Sequence, residues 1–160
     1  MWTGKINGNL FVGLVNSVKD VVNDVNIEIT EDGMSMQSMD TSHIALCSFY
    51  IPKEMFAPFG WSYDGNVTIG INTSTLALAC SCLIISVDTD VEMRYDGECF
   101  FISSQDKTAS RSISLTTMDI DVDRLEIPRL DPEAVVRMKS KDFAQLCSDA
   151  LKLGTSGDFS

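Results

Sequence analysis

The chain has 160 residues, of which 44% are apolar, and a formal net charge of −11. That length accommodates one complete domain of average size but not two. The excess of acidic residues argues against a general affinity for nucleic acid, although it leaves room for a local basic patch. No apolar run approaches the ~18 residues of a membrane span, and no secretory signal pattern is present, so we predict a soluble intracellular protein that does not engage a membrane.

The cysteines and the single histidine give no sign of a metal or catalytic centre. Five cysteines are irregularly spaced, without a Cys-x-x-Cys pair. Zinc is therefore not expected, and we interpret the cysteines as buried, reduced thiols. Neither GxxxxGK[ST] nor GxGxxG occurs, which argues against nucleotide hydrolysis. We expect no cofactor and no metal.

The first predicted elements are a strand at 3–6 and a helix that begins at Asn9. Apolar residues recur at helical spacing on one face from Leu10 to Val22. The opposite face is small or polar and nearly neutral. This helix is expected to pack its apolar face on a flat apolar surface.

Strand patterns follow at 27–30, 34–39 and 43–50, with a Glu-Asp-Gly turn between the first two. Apolar groups on both faces of 43–50 predict that something besides the sheet covers one side. Residues 52–64 contain two prolines and one glycine, and we interpret them as a loop.

The opening pattern then returns. A strand at 67–71, a polar cap at 72–74 and a short helix at 75–81 precede strands near 83–87, 91–95, 99–102 and 110–116. A third copy comprises a strand at 135–138, a cap at Ser140 and a helix with an apolar stripe. The unit recurs near residues 3, 67 and 135. The predicted fold is α+β, with repeated β-α-β-β-β units and two helices on one face of a mainly antiparallel sheet.

Residues 117–134 have neither a helical nor a strand period and hold two of the four prolines. Proline disfavours a helix interior and a central strand, so we interpret the segment as an extended connector. Six acidic residues alternate with apolar ones, and such half-exposed apolar groups are typical of a docking strip. We predict a first domain at 1–116, an interdomain connector at 117–134 and an incomplete second domain at 135–160.

Two segments carry a family resemblance. QSMDTSHIAL at 37–46 and MDIDVDRLEIP at 118–128 closely resemble the proliferating cell nuclear antigen family of DNA sliding clamps. DFAQLCSD at 142–149 is similar to the start of that family's second domain. The match runs collinearly from residue 1 to about residue 157, and two motifs of ten and eleven residues in the right order are far more specific than one short pattern.

The resemblance implies a subunit of two similar domains, three of which close head to tail into a ring around duplex DNA, here most simply a homotrimer. The helices would line the hole and the sheets would form the rim. DNA polymerase and other replication and repair proteins would dock a short peptide between the connector and the first domain, and a separate clamp loader ATPase would open the ring. A nuclear location follows, or a cytoplasmic one for a viral or archaeal protein.

The resemblance also assigns roles to particular residues. The partner-peptide pocket would be lined by Met39, His43, Ile44, Leu46, Leu125, Ile127 and Pro128. The DNA-facing residues would be Asn16, Lys19, Lys141 and Lys152. The strand that pairs with a neighbouring subunit would contribute Arg111, Ile113 and Leu115.

The sequence departs from the family in its basic residues. The family lines its hole with lysine and arginine, whereas Val12 and Gly13 stand at two such positions, helix 75–81 has no basic residue, and Gln145 and Ser148 replace arginines. Weaker contact with DNA is implied, since phosphate contacts supply the sequence-independent attraction. This keeps open an alternative, a clamp-like peptide-binding adaptor that does not encircle DNA.

Several other assignments compete with these. Ile127 and Pro128 could merely stiffen the connector, and the lysines could be ordinary solvated residues. The acids at 119, 121 and 123 imitate the start of a calcium loop, but Arg124 and Leu130 occupy the positions that need glycine and glutamate. An enzyme would rest only on a reactive Cys80 or Cys82, and His43 has no nucleophile in its sequence context, so we predict that the chain is not an enzyme.

Overall fold

A computed structural model describes residues 1–86, 89–121, 125 and 134–153 of the chain. The chain divides into two compact units, Met1–Leu125 and Glu126–Ser160. The division falls within the predicted connector. None of the helices in the described ranges is long and apolar enough to cross a membrane.

The first unit alternates strands with two helices. In chain order these are β1 (Trp2–Asn7), α1 (Gly8–Val18), β2 (Asp24–Thr30), β3 (Gly33–Met39), β4 (Leu46–Pro52), β5 (Phe59–Trp61), β6 (Val67–Asn72), α2 (Thr73–Cys82), β7 (Asp90–Tyr95), β8 (Cys99–Gln105) and β9 (Ser110–Thr116). A short 3₁₀ turn, Lys53–Met55, lies between β4 and β5. The predicted α+β class is confirmed.

The strands form two antiparallel sheets where the sequence pattern predicted one. One sheet has the order β5-β1-β7-β8-β9, and the other has the order β4-β3-β2-β6. Each helix carries the chain from one sheet to the other, α1 from β1 to β2 and α2 from β6 to β7. Alternating apolar residues specify which face of a strand is buried but not which strand it pairs with, so the pattern could not separate the two sheets.

The repeated opening unit is confirmed by its helix caps. Asn7 ends β1, and its side-chain oxygen accepts the backbone N–H of Leu10 at 3.1 Å. Asn72 ends β6 and accepts the N–H of Thr75 in the same way at 3.0 Å. Asparagine satisfies one of the free N–H groups at a helix start. The cap of α1 is therefore Asn7, and the helix begins at Gly8, one residue before the predicted start at Asn9.

The helices pack beside each other, α1 against β1 and β7, and α2 against β6 and β9. Phe11 and Val15 on α1 and Leu76 on α2 are buried in a core shared by both sheets. The predicted stripe of α1 extends too far, because the helix ends at Val18 and a turn follows in which the Val21 N–H bonds the Val18 carbonyl. Val21 is consequently exposed, whereas Val22 is buried.

Two other expectations for the first unit were wrong. The described part of the predicted strand 83–87, residues 83–86, is not a strand. There the Ile84 N–H donates a hydrogen bond to the Ser104 hydroxyl at 2.8 Å. A side chain thus accepts the bond that a backbone carbonyl of a neighbouring strand would accept in a sheet. Conversely, the predicted loop 52–64 contains β5, in which Gly60 lies opposite Thr3. A Cβ at Gly60 would overlap the Thr3 hydroxyl, which explains a glycine within this short strand.

The described part of the second unit contains α3 (Ser140–Leu153). The helix that follows the predicted Ser140 cap is present, but the predicted strand 135–138 is not. The apolar stripe of α3 includes Phe143, Leu146 and Leu151, and all three are exposed in this chain.

Candidate functional site

The four-stranded sheet has one face on the core and one face that we call the outer face. In β2 the buried residues Val25, Ile27 and Ile29 alternate with half-buried polar residues that point outward. A single cross-strand row on this outer face contains Gly70 of β6, Asn26 of β2, Gln37 of β3 and Ser48 of β4. Cross-strand neighbours lie on the same face of a sheet, so this row runs perpendicular to the strands.

The beginning of the connector crosses the sheet along this row. The N–H of Met118 is donated to the Gly70 carbonyl at 2.9 Å. The Asn26 amide then donates to the Ile120 carbonyl at 2.9 Å. The connector thus passes from β6 over β2 as an extended, half-exposed segment, consistent with a docking strip.

Gln37 anchors the connector farther along. Its side-chain amide donates to the Leu125 carbonyl at 2.9 Å and accepts the Leu125 N–H at 2.7 Å. Both backbone groups of Leu125 are therefore paired with one side chain. The three successive anchors, Gly70, Asn26 and Gln37, carry the connector toward β3.

Gly70 allows the first of these contacts. A Cβ on this residue would overlap the Met118 carbonyl oxygen and would lie 2.9 Å from Cγ1 of Ile120. Only glycine lets the connector backbone approach the strand this closely. Gly70 is buried although it faces outward, because the connector covers it.

The loop between β3 and β4 is shaped by Asp40. Its carboxylate accepts the Ser42 hydroxyl, the N–H of Ile44 at 2.8 Å and the N–H of Ala45 at 2.7 Å. The Asp40 N–H also bonds the Ala45 carbonyl at 2.9 Å, which closes the loop. Residues 43–45 are consequently loop, and the predicted strand 43–50 begins three residues later, at Leu46.

The same hydrogen bonds stabilise the charged form of Asp40. The Ser42 hydroxyl and the N–H groups of Ala45 and Ile44 lower the pKa of the Asp40 carboxyl from 3.8 to about 2. His43 at the tip has φ 58, the left-handed region, and its Nδ1 lies 3.1 Å from the sulfur of Met39. The loop is thus a hydrogen-bonded turn rather than a loose connection.

This loop and the connector place five of the seven predicted pocket residues at one end of the outer face. We call this set the outer strip: Met39, His43, Ile44, Leu46 and Leu125. Met39 and Leu46 lie opposite each other on β3 and β4. The side chains of Ile44, Leu125 and Leu46 are 86%, 42% and 36% exposed. Leu125 is anchored on Gln37, the residue that precedes Met39 on the same face of β3. Ile127 and Pro128 lie outside the described residues.

The predicted subunit-interface residues lie on β9, the edge strand of the five-stranded sheet. Leu115 is buried in the core and Ile113 is half-buried. Arg111 donates to the Cys82 carbonyl at the end of α2, at 2.7 Å. These side chains therefore pack against their own chain, and β9 presents to solvent its exposed serines and the backbone edge that faces away from β8.

The predicted DNA-facing residues divide between the units. Asn16 is exposed on α1, and Lys19, which caps the end of that helix, lies 3.7 Å from Asp20. The outward face of α2 carries Ser74, Thr75, Leu78 and Ser81, without a basic residue. On α3, Lys141 is exposed, and Lys152 pairs with Asp149 at 3.1 Å.

Cys80 is poorly suited to act as a nucleophile. Burial raises the pKa of the Cys80 thiol to about 12, which disfavours the thiolate that a nucleophile needs. The expectation that all five are buried was wrong: Cys82 is exposed, and Cys47, Cys99 and Cys147 are partly buried. No group of three or more His, Cys, Asp or Glu residues in the described ranges could hold a metal ion.

Sequence patterns missed the residues that organise the site. Gln37, Asp40 and Gly70 act through hydrogen bonds or through the absence of a side chain, and none of these changes a hydrophobic period. Asp40 carried one local signal, because an aspartate followed by Thr-Ser is typical of a side-chain-stabilised turn. Gln37 and Gly70 contact residues far away in the chain, so no local signal exists for them.

Comparisons with known proteins bear on the whole first unit. Residues 3–124 match the family model described as "Proliferating cell nuclear antigen, N-terminal domain". The chain is also 29% identical over 145 residues to the proliferating cell nuclear antigen of Chaetomium thermophilum, an alignment that covers 89% of this chain and 55% of the relative. The chain thus spans about half the length of this curated relative. Since the family model matches most of its residues, the chain belongs to the proliferating cell nuclear antigen family, the DNA sliding clamps.

Proposed function

We propose that the chain is part of a DNA sliding clamp subunit, a non-enzymatic processivity factor that encircles duplex DNA and tethers DNA polymerase and other replication and repair proteins. Family membership supports the sliding clamp role. The outer strip is the observation that carries the tethering proposal. The clamp would operate in the nucleus, or in the cytoplasm if the protein is viral or archaeal.

The outer strip has the properties of a peptide-docking surface. Three apolar residues at this end of the outer face, Ile44, Leu46 and Leu125, are substantially exposed, and soluble proteins rarely leave a large apolar patch in water without a binding role. Their positions are fixed by the Asp40 turn and the Gln37 anchor. A partner peptide would cover them with apolar or aromatic side chains at small ordering cost to the clamp.

Ring assembly would use the free edge of β9. An exposed edge strand offers unpaired N–H and C=O groups to a strand from another chain. A head-to-tail contact of this kind closes into a ring when the rotation between subunits allows it. We propose a ring of identical subunits, most simply a homotrimer, that a separate clamp loader ATPase opens.

DNA would be held by the closed ring more than by charge. The outward face of α1 and α2 has Lys19 as its one cation in the described ranges, and Lys19 is paired with Asp20. Weak phosphate contacts suit a protein that slides, because each contact must break as the ring moves. DNA binding would be non-specific, since contacts to phosphate carry no sequence information.

The outward face of α1 and α2 also supports a second candidate function. A clamp-like adaptor would bind partner peptides at the outer strip without encircling DNA. The scarcity of basic residues on α1 and α2 is the observation that favours it.

A processivity assay distinguishes the two functions. DNA synthesis on primed circular DNA is measured with polymerase and loader, in the presence and absence of the full-length protein. A sliding clamp lengthens the products, and linearising the DNA abolishes the effect because the ring slides off the end. Peptide binding without longer products on the circular template would contradict the clamp and favour the adaptor.

A further inference from the structure

We propose that Gln37, assisted by Asn26, is a positioning residue that sets the register of the connector on the outer face and thereby holds Leu125 in the outer strip. The inference deepens the proposed function and rests on it for the role of the outer strip. It concerns residues that are not themselves expected to contact the partner.

Gln37 pairs with Leu125 as a neighbouring strand would. A glutamine side chain has an NH₂ group that donates and a carbonyl oxygen that accepts. In Gln37 the NH₂ group donates to the Leu125 carbonyl at 2.9 Å, and the oxygen accepts the Leu125 N–H at 2.7 Å. Two simultaneous bonds fix the orientation of the Leu125 backbone and therefore the direction of its side chain. Asn26 makes one such bond, to Ile120, and within the described ranges its buried side-chain oxygen has no partner.

The length of the connector makes this anchor necessary. Adjacent strands lie about 4.8 Å apart, and an extended chain advances about 3.3 Å per residue. From Met118 over β6 to Ile120 over β2, the connector uses two residues for one strand spacing. Ile120 and Leu125 are anchored on neighbouring strands, β2 and β3, but are five positions apart in the sequence, so one strand spacing does not fix which residue meets β3. Chain length therefore does not determine which residue arrives at β3, and the Gln37 amide selects it.

The selected register matters because of the residues on either side. Arg124 and Glu126 flank Leu125 in the sequence. A shift by one residue in an extended segment reverses which side chains face the sheet and which face away. Without the anchor, a charged side chain could take the place of Leu125 in the outer strip. The expected consequence is weaker binding of an apolar peptide.

The test uses the 160-residue chain with Gln37→Met, which preserves side-chain length and removes both bonds, and with Gln37→Ala, which removes them without adding apolar surface. Gln105→Met is the matched control, since Gln105 is an exposed glutamine at the end of β8. Amide hydrogen exchange of Leu125 is measured by NMR. We expect exchange to accelerate roughly tenfold in both Gln37 variants and to be unchanged in the control.

Affinity is then measured in the full-length protein with a fluorescent clamp-binding peptide taken from a DNA polymerase. The proposal predicts at least a threefold loss for both Gln37 variants, in keeping with a lost hydrogen-bonded anchor, and none for Gln105→Met. Unchanged Leu125 exchange overturns the register assignment, and faster exchange with unchanged affinity overturns the positioning role. If the unsubstituted protein fails to bind the peptide, the proposed function fails, while Leu125 exchange alone still decides the register.

Discussion

The outer face of the four-stranded sheet and the outward face of helices α1 and α2 belong to the same unit but differ in almost every property. The outer face is crossed by the connector through three sets of hydrogen bonds and ends in the exposed side chains of the outer strip. The helix face carries small or neutral side chains and one paired lysine. The contacts on the outer face depend on particular residues, among them Gly70, Asn26 and Gln37.

Under the proposed function, this difference corresponds to two kinds of binding. A surface that must recognise one peptide needs apolar groups at fixed positions, and the anchors supply them. A surface that must let DNA slide needs no fixed contact and is best left weak. Substitutions on the outer face should therefore have large and specific effects, and substitutions on the helix face small and general ones.

The largest effect is expected at Gly70. Gly70→Ala places a methyl group against the Met118 carbonyl, and such overpacking should lower the free energy of unfolding by about 3 kcal/mol. Gly13→Ala on α1 is the control, because Gly13 has open space around its Cα and alanine should stabilise the helix by about 0.5–1 kcal/mol. Urea unfolding of both variants measures the contrast. Equal stability of the two variants would show that the connector is not held against β6.

Truncation in the outer strip ranks second. Ile44→Ala and Leu125→Ala should each weaken partner-peptide binding by about 2 kcal/mol, because each removes apolar surface that the peptide would bury. Isothermal titration calorimetry on the full-length protein measures the loss. Leu78→Ala on α2 is the control, since Leu78 is also apolar and its exposed fraction lies between those of Leu125 and Ile44. An unchanged affinity for both outer-strip variants would refute the pocket assignment.

A smaller effect is expected at Asp40, which acts through the conformation of the loop between β3 and β4. Asp40→Ala removes the acceptor of the loop hydrogen bonds and should reduce peptide affinity roughly fivefold by freeing Ile44. Asp106 provides a matched control, since its carboxylate closes a comparable turn between β8 and β9, far from the outer strip. The same affinity loss in Asp106→Ala would point to general destabilisation.

Asp40 also predicts a pH dependence. Its pKa of about 2 in the folded chain is below the ordinary 3.8, so its stabilisation of the turn is complete above about pH 4 and is lost as the pH falls toward 2. Amide exchange of Ile44 and Ala45, corrected for the intrinsic rate, should therefore stay slow down to about pH 4 and accelerate below it. A constant protection factor through this range would show that the carboxylate does not hold the turn.

The smallest effect is expected at Lys19. Lys19→Ala removes one phosphate contact at most, so the slope of log K against log salt for DNA binding should become less negative by about 1. Filter binding of the assembled protein at several salt concentrations measures this slope. An unchanged slope would place Lys19 away from DNA.

The sequence was most informative where a periodic pattern coincided with a buried face. The buried positions of α1, β2 and β7, together with the recurring strand, cap and helix, were predictable because burial imposes a period of 3.6 or 2. The predicted strand boundaries were wrong where a side-chain hydrogen bond interrupts the strand pattern. Asp40 holds residues 43–45 in a turn, and the Ser104 hydroxyl accepts the N–H of Ile84. The short strand β5 was missed because Pro58 and Gly60 are typical of a loop.

The candidate site was predictable only through its family resemblance. Ile44 and Leu125 are ordinary apolar residues in sequence, and nothing local indicates that both remain exposed at the same end of a sheet. The anchors depend on contacts between distant residues, Gln37 with Leu125 and Gly70 with Met118. Such pairings become visible only when the strands have been assembled in their order.

The most direct test of the difference between the two faces is amide hydrogen exchange of the full-length protein, with and without a saturating clamp-binding peptide from a DNA polymerase. We predict that the peptide slows exchange at Ile44, Leu46 and Leu125 and leaves α1 and α2 unchanged. Protection confined to α1 and α2, with none in the outer strip, would contradict the assignment of the peptide site to the outer face.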